Sequence, residues 1–134
     1  IFLRIYRMKA DTFNLFHNKP IYPLILSQEL KIENIQDIAV DKAFTIGRRG
    51  AFRDYVDLYF ILSKNILFES VIRGATLKYG AMFDEKLFLE QLDYMGDISD
   101  FSIEYIAEPI SEEKIHETLH QIIRTYLKEK KAAA

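Results

Sequence analysis

Six charged residues, Lys42, Arg48, Arg49, Arg53, Asp54 and Asp57, fall within sixteen positions of a 134-residue chain. They are interleaved with residues suited only to a core: Ile38, Ala39, Ala43, Phe44, Val56, Leu58, Phe60, Ile61 and Leu62. Charge removed from water is costly unless it is paired or put to use. Lys42 and Asp57, brought face to face, can lock two helices as an ion pair. Asp54 can pair with Arg49 or Arg53 across the turn at Gly50. The arginines can otherwise form a solvated face, or a modest patch for a polyphosphate or an RNA backbone.

A second constellation lies near the C-terminus. His116-Glu117-Thr118-Leu119-His120 matches H-E-x-x-H, the pattern in which two histidines one helical turn apart bind zinc and the glutamate acts as a base. A zinc peptidase also needs a third ligand, and Glu129 is the one candidate downstream. The expectation is therefore an edge pair flanking the Leu119 stripe, with weak zinc binding and no peptidase activity.

The elements that position these residues follow from caps and periodicity. Asn34 is a good N-cap and Asp37 suits a first turn, so a helix begins there. Arg48 and Arg49 are expected in its last turn, with Gly50 as the residue that ends it. Lys42 projects from its middle. A second helix begins near Ala51, and Asp54, Asp57, Leu58 and Ile61 share one of its faces. Tyr55, Tyr59 and Phe60 read as core aromatics. Asn65 is expected to cap a third helix, Ile66 to Tyr79, ending at Gly80. Asp84 starts a fourth, with Leu87, Phe88, Gln91 and Leu92 inward. Gly96 to Pro109 is an acidic connector with a short strand at Phe101–Ile106. Ser111 caps a last helix whose stripe is Ile115, Leu119, Ile122, Ile123, Tyr126 and Leu127.

Upstream the pattern changes. Residues 1–14 alternate loosely, as a strand near a sheet edge. His17-Asn18-Lys19-Pro20 is a turn, Pro20 and Pro23 keep Ile21–Leu26 out of any central strand, and a short strand is expected at Leu30–Ile32. The fold class is thus α+β, mostly α. A short N-terminal β-sheet remnant (1–33) precedes a C-terminal helical bundle of about five helices (34–134).

The string DIAVDKAFTIGRRGAFRDYVDLYFIL resembles the C-terminal helical motif of AbiEii-type toxins, members of the DNA polymerase beta-like nucleotidyltransferase superfamily. The family pattern is a lysine in a small-residue helix, then an arginine, then RD-x-x-D-L-x-x-L. Here these are Lys42, Arg49 and Arg53-Asp54-Tyr55-Val56-Asp57-Leu58, running to Ile61 and Leu62. The flanks MKADTFN, KPIYP and LEQLDYMGDIS are consistent with the same family.

The resemblance implies that Lys42 and Asp57 are catalytic. Lys42 meets the triphosphate of an incoming nucleotide, and Asp57 orients Lys42 or assists at the active-site wall. Arg49, Arg53 and Asp54 are the substrate-binding candidates, and Asp11 is a candidate third metal carboxylate. The complete enzyme is expected to use Mg²⁺ and a nucleoside triphosphate, and to act on tRNA or protein. A cognate antitoxin, or a chain supplying the missing N-terminal half, is the expected partner. The family's Gly-Gly-Ser/Thr and Asp-x-Asp segments do not occur in these residues. The expectation is therefore a C-terminal portion that is inactive alone and has no cofactor of its own, with a non-catalytic structural or partner-binding module as the alternative. Lys42 is expected to stand at least partly exposed in a groove, its ammonium within reach of Asp57.

Composition sets outer bounds. Hydrophobic residues make up 49% and charged residues 28%, as in an ordinary globular domain. A net charge of −2 gives no global basic field, so contact with nucleic acid must be local. Without cysteine there are no disulfides or thiolate metal sites, which fits a cytoplasmic protein. No run approaches the roughly 20 apolar residues of a membrane span.

Overall fold

The computed structural model describes residues 21–22, 25–27, 30–32, 34–46, 48–105 and 108–134. The strand expected over residues 1–14, the turn at 17–20 and the metal candidate Asp11 lie outside the described residues.

Two short strands, β1 (Ile25–Ser27) and β2 (Leu30–Ile32), pair antiparallel with Ile25 opposite Ile32. Among the described residues the sheet has these two strands alone. Five α-helices follow among the described residues: α1 (Ile35–Ile46), α2 (Phe52–Leu62), α3 (Phe68–Tyr79), α4 (Glu85–Asp93) and α5 (Glu112–Ala133). The described chain is mostly helical.

The helix starts at Asn34, Asp84 and Ser111 follow from local chemistry. Asn34 accepts a hydrogen bond from the Gln36 amide, Asp84 from Leu87 and Ser111 from Lys114, each covering a backbone N–H that a first turn leaves unpaired. Other boundaries differ from expectation. α1 stops at Ile46, so Arg48 and Arg49 sit in the turn beyond it, their amides bonded to the Thr45 carbonyl. α3 starts at Phe68, and its N-cap is Leu67 rather than Asn65. Asn65 instead takes a left-handed φ of 63° in the turn that closes α2, a conformation asparagine tolerates better than most residues. Residues 101–105 form no strand; a single parallel bridge joins Ala51 to Asp100. On α4, Phe88 and Leu92 are buried, but Leu87 is 45% exposed.

α1 is the central helix. Nine of its residues are buried, Asp37, Asp41 and Thr45 among them, because α2 and α3 cover different sides of it. A helix buried on nearly every side normally lacks charge. Every charge on α1 must therefore find a partner. α5 closes the bundle with Ile115, Leu119 and Ile123 against the core.

Candidate functional site

Lys42 points from the middle of α1 toward the first two turns of α2. Its ammonium lies 2.9 Å from Asp54 Oδ1 and 2.8 Å from Asp57 Oδ2. Arg49, in the turn between the helices, donates from Nε to Asp54 Oδ2 at 2.8 Å and from Nη2 to Asp54 Oδ1 at 2.9 Å. This two-point contact matches the planar guanidinium to the carboxylate. Two cations and two anions thus close into one neutral cluster, which joins Lys42, Asp57, Arg49 and Asp54.

The carboxylates differ in kind. Burial pushes the Asp54 carboxyl up, but the Arg49 hydrogen bonds and the Lys42 charge outweigh it, leaving Asp54 below its ordinary value. Burial also pushes Asp57 up, and Lys42 brings it only part of the way back, so Asp57 stays above its ordinary value. Arg49, held by Asp54, is raised. Nearby Tyr55 is pushed up to about 12 by burial and by the charges of Asp54 and Asp97; its hydroxyl donates to the Gln91 carbonyl.

Lys42 is partly exposed and its ammonium reaches Asp57, as expected, but its surroundings are nearly closed. Its side chain keeps 13% exposure, and Asp54 and Asp57 are buried. The cause is the depth of α1, which carries the lysine stem into the core before its head reaches the carboxylates. To receive a phosphate, Lys42 must release at least one of them.

Arg53 does not join the cluster. It turns the other way and pairs with Asp100 at 2.7 Å. Asp100 also accepts the Ser102 amide and hydroxyl, which together with Arg53 hold its carboxyl down at about 2. Arg48 donates to the Met82 carbonyl and lies 3.9 Å over the Phe44 ring, which stacks on Tyr79. Gly50 acts by close approach. Its carbonyl accepts the Ser99 and Asp100 amides, and a Cβ there would stand 2.5 Å from the Asp97 carbonyl oxygen. It is not the left-handed residue expected to end α1, since Gly80 is the glycine with positive φ among the described residues.

A second buried network was not foreseen. Lys78, its side chain 1% exposed, reaches from α3 to Asp41 at 2.7 Å and Asp37 at 3.5 Å. Tyr79 donates to Asp41, and Asp37 accepts the amides of Ile21 at 2.9 Å and Tyr22 at 2.7 Å. The signal was available: Asp37 and Asp41 stand one turn apart among residues that otherwise belong in a core. Asp37 stands in the first turn of α1, as expected, but it is buried and accepts the amides of Ile21 and Tyr22.

The histidines of the H-E-x-x-H pattern both turn to Asp93 at the end of α4. His116 Nε2 lies 2.7 Å from the Asp93 carbonyl, and His120 Nδ1 lies 2.5 Å from its carboxylate. Among the described residues no group of three His, Cys, Asp or Glu is arranged to hold a metal ion.

Comparison with family models, with curated proteins and with solved structures finds no match to this chain.

Proposed function

We propose that this chain is the C-terminal part of a magnesium-dependent nucleotidyltransferase of the AbiEii toxin type. Such an enzyme moves a nucleotide onto RNA or protein in the cytoplasm, within an abortive-infection or toxin–antitoxin system. The supporting observation is convergence. Lys42, Arg49, Asp54 and Asp57, which carry the resemblance, come from two helices and the turn between them and meet within hydrogen-bonding distance. In this reading Lys42 receives the triphosphate as a compact cation. Asp54 fixes Arg49, and Asp57, the carboxylate less firmly held as an anion, is the one Lys42 leaves. β1 and β2 belong to the end of the nucleotidyltransferase sheet.

The described carboxylates do not fit a magnesium site. Both Asp54 oxygens are taken by Lys42 and Arg49, and Asp57 is committed to Lys42. In this reading the metal is held outside the described residues, by the family's Asp-x-Asp pair with Asp11 as the candidate third carboxylate, and no step is routed through it here. Alone, the chain is expected to transfer no nucleotide to tRNA or protein.

The closed geometry favours a second reading, in which the cluster only holds α1 to α2 and the chain serves as a structural or partner-binding module. Nucleotide titration separates the two. The four nucleoside triphosphates, each with Mg²⁺, are added to isotope-labelled protein while backbone amide resonances are followed. The enzyme reading expects shifts centred on Lys42, Arg49 and Asp57 that vanish in a folded Lys42→Gln variant. No shift there with any nucleotide at millimolar concentration would leave the second reading standing.

A further inference from the structure

Both carboxylates beside Lys42 bind it, but they are not equally free to leave. Asp54 is tied to Lys42 at 2.9 Å and to Arg49 at 2.8 and 2.9 Å, so it keeps a cation if Lys42 turns away. Asp57 has a single ion-pair partner among the described residues, Lys42 at 2.8 Å, and its side chain is 7% exposed. An anion that takes the Lys42 ammonium therefore displaces Asp57. It leaves behind a carboxylate without a cation and nearly out of water.

A carboxylate in that position is far more stable with a proton than as an anion. Its surroundings press the same way. Among the described residues, the charges that act on Asp57 are Lys42 from α1, Arg49 from the turn and Asp54 from its own helix. Arg49 is already held by Asp54, and Asp54 repels a second negative charge one turn away. In the connector, Asp100 is turned to Arg53, and no ion pair reaches Asp57 from α5, which also packs against α2. Even with Lys42 in place, burial keeps the Asp57 carboxyl above its ordinary value. Withdrawing Lys42 removes the main influence opposing that rise.

We propose that Asp57 is an internal counter-anion that a polyphosphate displaces from Lys42, and that it takes up a proton from solvent as it is displaced. This role rests on the reading of Lys42 as the triphosphate-binding cation, and it adds a regulation of that site. Above the pH at which Asp57 titrates in the free chain, each unit of pH weakens binding by about tenfold. Below that pH Asp57 already carries its proton, and the dependence disappears.

Inorganic tripolyphosphate without metal is the probe, so neither a base nor magnesium enters the measurement. Titration calorimetry on the whole chain, in two buffers of different ionisation enthalpy, reads affinity and proton uptake together. The wild type is expected to take up about one proton more than Asp57→Asn, whose uptake reports the probe's own titration. Near neutral pH Asp57→Asn should bind about tenfold more tightly or better, and a folded Lys42→Gln not at all. Asp57→Ser, neutral and smaller, repeats the comparison if the amide disturbs the packing. Tripolyphosphate bound by Asp57→Asn and not by the wild type also supports the proposal. A wild type that binds as well as Asp57→Asn, or with the same proton uptake, overturns the role of Asp57 and leaves Lys42 as the nucleotide's cation. No binding by any of these chains, or binding that survives in Lys42→Gln, overturns both.

Discussion

Lys42 and Asp57 sit 2.8 Å apart on different helices, and the lysine is the ion-pair partner that the structure gives this aspartate. Asp54, by contrast, keeps Arg49 if Lys42 is lost. The consequences of removing Lys42 are therefore concentrated on one carboxylate.

Lys42→Ala strands Asp57 as a buried charge without its partner. Breaking a buried pair from one side costs about 3–5 kcal/mol, a large part of a small domain's stability. The expected result is a marked fall in the urea midpoint at matched pH and salt. A change below about 1 kcal/mol, the range of exposed pairs, would mean that the cluster opens to water in solution.

The two aspartates give opposite pH signatures. Asp54 titrates below its ordinary value in the folded chain, so its stability is present above that value and is lost as pH falls through the depressed one. Asp57 is raised, so its folded form holds the proton more readily. Its ionisation weakens the fold as pH rises from the ordinary value to the raised one. Asp54→Asn should flatten the acid limb of a stability–pH profile, while Asp57→Asn should remove the opposing slope. Acid limbs of equal steepness in the wild type and Asp54→Asn would contradict the assignment.

Gly50→Ala places a Cβ 2.5 Å from a backbone oxygen, which cannot swing aside as a side chain would. The connector must move, at a cost of about 1–3 kcal/mol, the range for overpacked sites. Because the same connector carries Asp100 to Arg53, the Asp100 carboxyl should titrate upward from about 2. Carbon-detected titration of the side-chain carboxyls, alongside thermal unfolding, reads both effects. An unchanged melt with Asp100 still near 2 would show that the approach relaxes freely.

For the histidine pair, titration calorimetry should find zinc bound weakly. Casein should remain intact with zinc present, because both rings are directed at Asp93. Cleavage that disappears in Glu117→Gln would restore the peptidase reading.

Helix starts were legible wherever a side chain does the capping, as at Asn34, Asp84 and Ser111. The start of α2 near Ala51 was legible from the turn at Gly50 although no side chain caps it, whereas the start of α3 was not, its cap Leu67 bonding nothing through its side chain. At α2 the connector intervenes: the Asp100 carbonyl accepts the Phe52 amide, a contact across 48 positions that no local pattern encodes. Within the site, the partnership of Lys42 with Asp57 could be read from two helices joined by a short turn. The separation of Arg53 from its neighbours could not, because it depends on where Asp100 returns. How little of Lys42 stays exposed was not legible for a related reason. Periodicity fixes which face a residue occupies, and only the packing of the second and third helices against α1 decides how deep that face lies.

α1 takes part in both charge networks, through Asp37 and Asp41 on one flank and Lys42 on another, with positions 41 and 42 about 100° apart around its axis. A twist of the helix that drew Lys42 away from Asp57 would also drag Asp41 off Lys78 and Asp37 off the amides of Ile21 and Tyr22. The helix is therefore indexed like a keyed shaft. Lys42 can change partners only by swinging its own side chain, and the incoming chain at Ile21 and Tyr22 is held at one fixed angular phase to it.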